Sequence, residues 1–242
     1  MRPDPPALRR LDEPPIATVA GLVGGIVDIV TVTVVFAAAG SVIGLALAWI
    51  SVRLPGSRPH SGARWPLRLS AFALAAAAIG AWAGLSQTSV SATLLTAILG
   101  WMLLLIAVVD AEHFWLPDEL TLPLAAAGVG AALLPGGTGL LNAAIGAAAG
   151  FAALWLLAFA YRRLRGRDGL GGGDPFLLAA GGAWVGWIGL PTVLLWAAAA
   201  GLSLVLARAL MKTPLAGDDR LAFGVFLAVG IWMTWLFGPL GL

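Results

Sequence analysis

The chain has 242 residues, of which 60% are hydrophobic and 11% charged, and a mean hydropathy of +0.95. That leaves too little polar surface to clothe a water-soluble globule of this length, so the chain reads as an all-α, polytopic membrane protein. A formal charge of +2 is too small to point to nucleic acid, and the lack of cysteine excludes disulfides, thiolate metal sites and thiol nucleophiles.

Taken in order, Met1 to Pro15 is rich in proline and charge and lacks the apolar core of a secretory signal. Residues 1–20 are expected to form a disordered tail, and 21–242 a single transmembrane helical domain. Within it, 21–68 holds the first helix and a short cytoplasmic loop, and 69–242 the catalytic helical core. A spanning helix needs about 20 mostly apolar residues, and eight stretches qualify. They lie within 21–52 and at about 69–85, 92–109, 120–134, 140–161, 175–190, 192–211 and 221–237. Small-residue patterns such as Gly21-x-x-x-Gly25 and Gly146-x-x-x-Gly150 suit close packing inside a bundle.

Loop charge orients these helices, because cytoplasmic loops are enriched in Lys and Arg. Arg53, Arg58, Arg64 and Arg68 follow the first stretch, Arg162, Arg163, Arg165 and Arg167 the fifth, and Arg208, Lys212 and Arg220 the seventh. The alternate connections, near 86–91, 135–139 and 189–191, carry no basic residue. The basic face is therefore expected to be cytoplasmic, with the N-terminal tail opposite.

Two acid-bearing stretches fall on that basic face: Asp110-Ala111-Glu112-His113 after the third apolar run, and Gly171-Gly172-Gly173-Asp174-Pro175 before the sixth. An ionisable group at the edge of an apolar segment is costly to keep and points to function. Two carboxyls brought together cannot both ionise cheaply, so they can share a proton, one activating water while the other protonates a leaving group. By helix ends alone, Asp174 at a helix start is the initial base and Asp110 at a helix end the initial acid. Structural readings stand beside these. Asp174 followed by Pro175 is a helix-start pattern, Asp110 suits a solvated interfacial acid, and Asp118 and Glu119 suit a first helical turn. A metal held by Asp110, His113 and Asp174 lacks a two-His spacing to support it. Asp28 reads as interfacial, and the 11 Trp residues as anchors and packing groups.

At these stretches the sequence resembles the prepilin peptidases, the GxGD-type membrane aspartyl proteases. Asp110 is followed by Leu116-Pro117-Asp118-Glu119-Leu120-Thr121-Leu122-Pro123-Leu124, and Gly171-Gly172-Gly173-Asp174 by Gly182-Ala183-Trp184. The resemblance implies Asp110 and Asp174 as the catalytic pair, cutting type IV prepilin or pseudopilin substrates after the glycine that ends a basic leader. The expected setting is the bacterial cytoplasmic membrane, with the active site facing the cytoplasm. Gly171, Gly172 and Gly173 leave backbone open to an extended peptide, and Glu112 and Asp118 offer negative charge to the leader. Proteolysis of this kind takes no cofactor. S-adenosylmethionine is expected only if the chain also N-methylates its product. Bifunctional members carry zinc-binding Cys-x-x-Cys pairs in the first cytoplasmic loop, which this chain lacks, and Phe176 stands where a lysine often follows the second aspartate. The lipid bilayer is a partner in either reading. The competing class is an ion-coupled carrier relaying protons or a cation through Asp110 and Asp174, and a third reading is a non-enzymatic assembly scaffold.

Overall fold

In a computed structural model the described residues are 15–54, 65–166, 171–211 and 221–240, without the side chains of 15–24, 26 and 27. Among them seven helices follow in order: α1 (Pro15–Arg53), α2 (Trp65–Ser86), α3 (Val90–His113), α4 (Asp118–Ala132), α5 (Leu140–Arg165), α6 (Asp174–Leu210) and α7 (Phe223–Phe237). Helix is what an apolar chain must form in lipid, where every backbone N–H and C=O needs a partner within its own segment. Side chains and special dihedrals set several ends. The Ser89 hydroxyl accepts from the Ala92 amide at the start of α3, Phe114 closes it in the left-handed region, and Gly166 does the same for α5.

Five helices are long and apolar enough to cross a bilayer: Asp28–Arg53 of α1, then α2, α3, α5 and α6. α4 and α7 have 15 residues each, about 22 Å of helix against a hydrocarbon core of about 30 Å. Large apolar side chains such as Val34, Leu74, Leu141 and Leu164 are exposed on the outer surface, as lipid-facing groups are.

Two sequence expectations need adjusting. α1 begins at Pro15, so residues 15–20, assigned to the tail, are helical; residues 1–14, the rest of that tail, lie outside the described residues. The two stretches expected at 175–190 and 192–211 are both present, as the two arms of α6, but Gly189 to Pro191 lies inside the second arm instead of between them. The interruption falls earlier, at Gly186 (φ 71°, ψ 174°), a conformation open essentially to glycine alone. There the chain doubles back. Before it, Gly181 meets Ile231 and Trp184 packs edge-to-face on Trp235; after it, Gly189 lies at Thr234, Val193 at Gly230 and Gly201 at Phe226. Position along α7 therefore advances, then retreats, and Arg208 returns to the end of the bundle where α6 began.

Lipid tails solvate apolar surface as well as protein does, so close backbone contact takes the place of hydrophobic burial in holding these helices. A β-carbon on Gly146 would strike the carbonyl of Gly182, and one on Gly182 the carbonyl of Gly146. α1 and α2 pair in the same way through Gly40, Gly44 and Gly80. The α1–α2 hairpin then docks on α3, where Trp101 Nε1 donates to Ala76 O at 2.9 Å. The largest core joins α3, α4, α6 and α7 around Trp184, whose Nε1 donates to Leu124 O at 2.9 Å.

Replacement of Gly182 by Ala should destabilise the fold by about 1–3 kcal/mol through forced separation of α5 and α6. Gly130→Ala, which meets nothing within 4 Å, should be neutral or stabilising by up to about 1 kcal/mol. Thermal unfolding of the two variants in detergent micelles reads both.

Candidate active site

Asp110 lies in the last turn of α3 and Asp174 opens α6, yet the two residues are only 5% and 3% exposed. One side chain links their surroundings. Leu116, buried between α3 and α4, sits so close to Gly173 that a β-carbon there would lie 2.5 Å from Leu116 Cβ. On its other flank, a β-carbon on Gly224 would lie 3.0 Å from Leu116 Cδ1 and 2.8 Å from Asp110 Oδ2. Leu116 thus lies between the surroundings of the two acids, beside Gly173 next to Asp174 and beside Gly224 against Asp110.

Each is held by a backbone amide. Gly171 N–H donates to Asp174 Oδ2 at 2.9 Å while Asp174 N–H donates back to Gly171 O at 3.2 Å, closing a tight turn ahead of α6. Val225 N–H donates to Asp110 Oδ2 at 3.2 Å. Val225 is in the first turn of α7, whose own N-cap, Ala222, supplies no side-chain hydrogen bond. Asp110 therefore caps α7 from another helix, satisfying an amide that would otherwise be orphaned. This removes the distinction drawn from helix ends alone: both carboxyls lie against helix starts, so the dipole argument no longer tells base from acid.

The glycine run divides by role. Gly171 supplies the amide to Asp174, Gly173 makes room for Leu116, and Gly172 is exposed with nothing within 4 Å of its would-be β-carbon. Around the rim, Phe114 adopts φ 51° and its amide donates to Asp110 O at 2.8 Å. That left-handed residue turns the chain sharply, so Leu116 comes up against Gly173 and Gly224 before α4 starts. Asp118 and Glu119 are exposed in the first turn of α4. The Glu112 carboxylate is bound by Arg68 of α2, with His113 Nε2 at 3.8 Å. Asp28 is exposed on α1 and lines a cavity of about 670 Å³ with Gln87 and Thr93, at the opposite end of the bundle. Arg53, the arginines of the last turn of α5 and Arg208 stand at the acid end; Arg58, Arg64, Arg167, Lys212 and Arg220 lie outside the described residues.

Sequence reasoning missed Gly224 and Val225, saw Arg68 only as a loop charge although it lies in α2, and saw Leu116 only as part of a motif. Gly224 opens an apolar run with no polar neighbour to mark it. Its closeness to Asp110, across more than a hundred residues of chain, exists only in three dimensions.

Residues 97–206 match the type IV leader peptidase family. Among curated proteins, the chain is 36% identical over 194 residues to a prepilin leader peptidase/N-methyltransferase of Aeromonas hydrophila, covering 80% of this chain and 65% of the relative. It is 42% identical over 182 residues to one of Burkholderia pseudomallei (75% and 57%), and 45% over 129 residues to one of Pectobacterium carotovorum (53% and 46%). The chain thus spans less than two thirds of the length of these relatives. No solved structure matches it.

Gly173→Ala and Gly224→Ala should each cost about 1–3 kcal/mol by pushing Leu116 or the Asp110 carboxyl aside. Gly172→Ala should stay within about 0.5 kcal/mol. Unfolding temperatures of the three variants, measured in parallel, check this.

Proposed function

We propose that this chain, whose residues 97–206 match the type IV leader peptidase family, is a membrane aspartyl endopeptidase with Asp110 and Asp174 as its catalytic pair. It removes the basic leader of prepilin or pseudopilin substrates at the cytoplasmic face of the bacterial inner membrane. The observation that carries this reading is the meeting of two buried carboxyls at the arginine-bearing end of the bundle, each steadied by a backbone amide. Acting as a catalytic pair on a bound peptide, the two carboxyls would hold one proton between them. The ionised member takes a proton from water as its oxygen attacks the scissile carbonyl carbon. The protonated member gives its proton to the leaving amide nitrogen as the C–N bond breaks, so the pair ends with the proton it began with.

The surroundings suit such a substrate. Gly172 leaves backbone uncovered beside Asp174, and Asp118 and Glu119 place negative charge at the rim where a leader's cations would arrive. The substrate's apolar helix would continue into the bilayer along the lipid-facing surface. An ion-coupled carrier finds no support among the relatives.

The relatives' names carry a second activity, N-methylation, for which S-adenosylmethionine would supply the methyl group. The thiolate zinc site of bifunctional enzymes does not fit this chain, which has no cysteine to build it. The described cavity near Asp28 lies at the far end from the acids and does not serve a product amine released there. We assign no methyl-transfer step to the described residues.

Asp110→Ala and Asp174→Ala, tested separately on a membrane-embedded prepilin, should each lower kcat by roughly 10²–10⁴-fold. Full cleavage by either variant overturns the catalytic pair. Mass spectrometry of the wild-type product decides the second activity, since a methylated terminus is one methyl group heavier than the cut alone predicts.

A further inference from the structure

Three helices are tied together by one side chain at the acid end. Arg68, in the first turn of α2, donates from Nη1 to Glu112 Oε1 at 2.5 Å and from Nη2 to Glu112 Oε2 at 2.9 Å. Its Nη2 also donates to Ser51 Oγ of α1 at 2.7 Å, and the buried Ser51 hydroxyl donates in turn to Ala48 O at 2.8 Å. The guanidinium lies 5.4 Å from the ring centroid of Phe72, one turn further along α2. The Arg68 side chain is 14% exposed and that of Glu112 35%. An exposed ion pair between flexible chains holds little in place. This one differs, because the planar fork of arginine is engaged at both nitrogens, against a carboxylate, a hydroxyl and a ring, and is largely covered.

Glu112 stands two residues past Asp110 in the last turn of α3. That turn has no continuing helix beyond it, since Phe114 breaks away in the left-handed region. On the side of the α1–α2 hairpin, Val109 packs in a buried cluster with Ala48 and Phe72, and the Arg68 fork supplies the polar tie beyond it. Both carboxylate oxygens of Glu112 already accept from Arg68, so its charge is largely answered within the protein before any leader arrives.

We propose that Arg68 and Glu112 are positioning residues: the pair fixes the final turn of α3, and with it Asp110, against the first two helices, and does not read the leader. This rests on the reading of Asp110 as one of the catalytic pair. It gives α1 and α2, which lie outside residues 97–206, a definite task at the site.

The test uses the full chain in lipid vesicles with two peptide substrates, one with a basic leader and one whose leader cations are replaced by glutamine. Arg68→Gln and Glu112→Gln should each lower kcat about tenfold with KM nearly unchanged, and the double variant should be no worse than either single. The exchanged pair, Arg68→Glu with Glu112→Arg, should recover most of the loss, equally for both substrates. Losses that add, or a Glu112→Gln effect confined to KM and to the basic leader, overturn the proposal. A wild type that leaves both peptides uncut refutes the protease reading instead. The clamp is then still decided by unfolding temperatures of the same four variants: non-additive losses restored by the exchange support it, and independent ones refute it.

Discussion

Everything at the acid end depends on keeping two carboxyls out of water and close together without letting either escape. A carboxylate in an apolar setting needs hydrogen-bond donors to be tolerated. Here the donors are backbone amides at the start of a helix or just before it, Gly171 for Asp174 and Val225 for Asp110. Such donors are fixed in direction by the helix itself and cannot rotate away as a side chain could. Leu116 fills the space between, and glycines at 173 and 224 let it and the acids approach.

The rest of the bundle supplies that arrangement with short elements where they are needed. α4, α7 and the first arm of α6 fall short of a full crossing, so their starts can gather at one end around the acids. Longer elements, α1, α2, α3, α5 and the second arm of α6, provide the span. The reversal at Gly186 returns α6 to the same end, and Trp184 ties its first arm to the carbonyl of Leu124 on α4. The segments around Asp110 and Asp174, far apart in sequence, are thereby joined twice, once through Leu116 and once through Trp184.

Much of this was legible beforehand because lipid narrows the options. Long apolar runs favour helices, and loop arginines favour one side of the membrane. The helices at about 92–109 and 140–161 were placed within a few residues, since long apolar runs with capping residues at their ends have few alternatives. The break in α6 was misplaced because Pro191 draws the eye, whereas a glycine among many others carries no mark of its backbone angles. The distinction between Asp110 and Asp174 failed for a different reason. It used only each residue's own helix, and the field at Asp110 comes from another helix altogether.

The order of residues by itself determined the helical class, and it set as expectations a shared face for the acids and the pairing of Asp110 with Asp174. It did so because composition, charge bias and the cost of burying a carboxyl are properties of local sequence. Only the tertiary structure decided that Asp110 caps α7, that Gly173 and Gly224 make space for Leu116, and that Glu112 is bound by Arg68. Those are contacts across 44 residues or more of chain, set by how helices pack, and helix packing leaves no periodic trace for a sequence reader to follow.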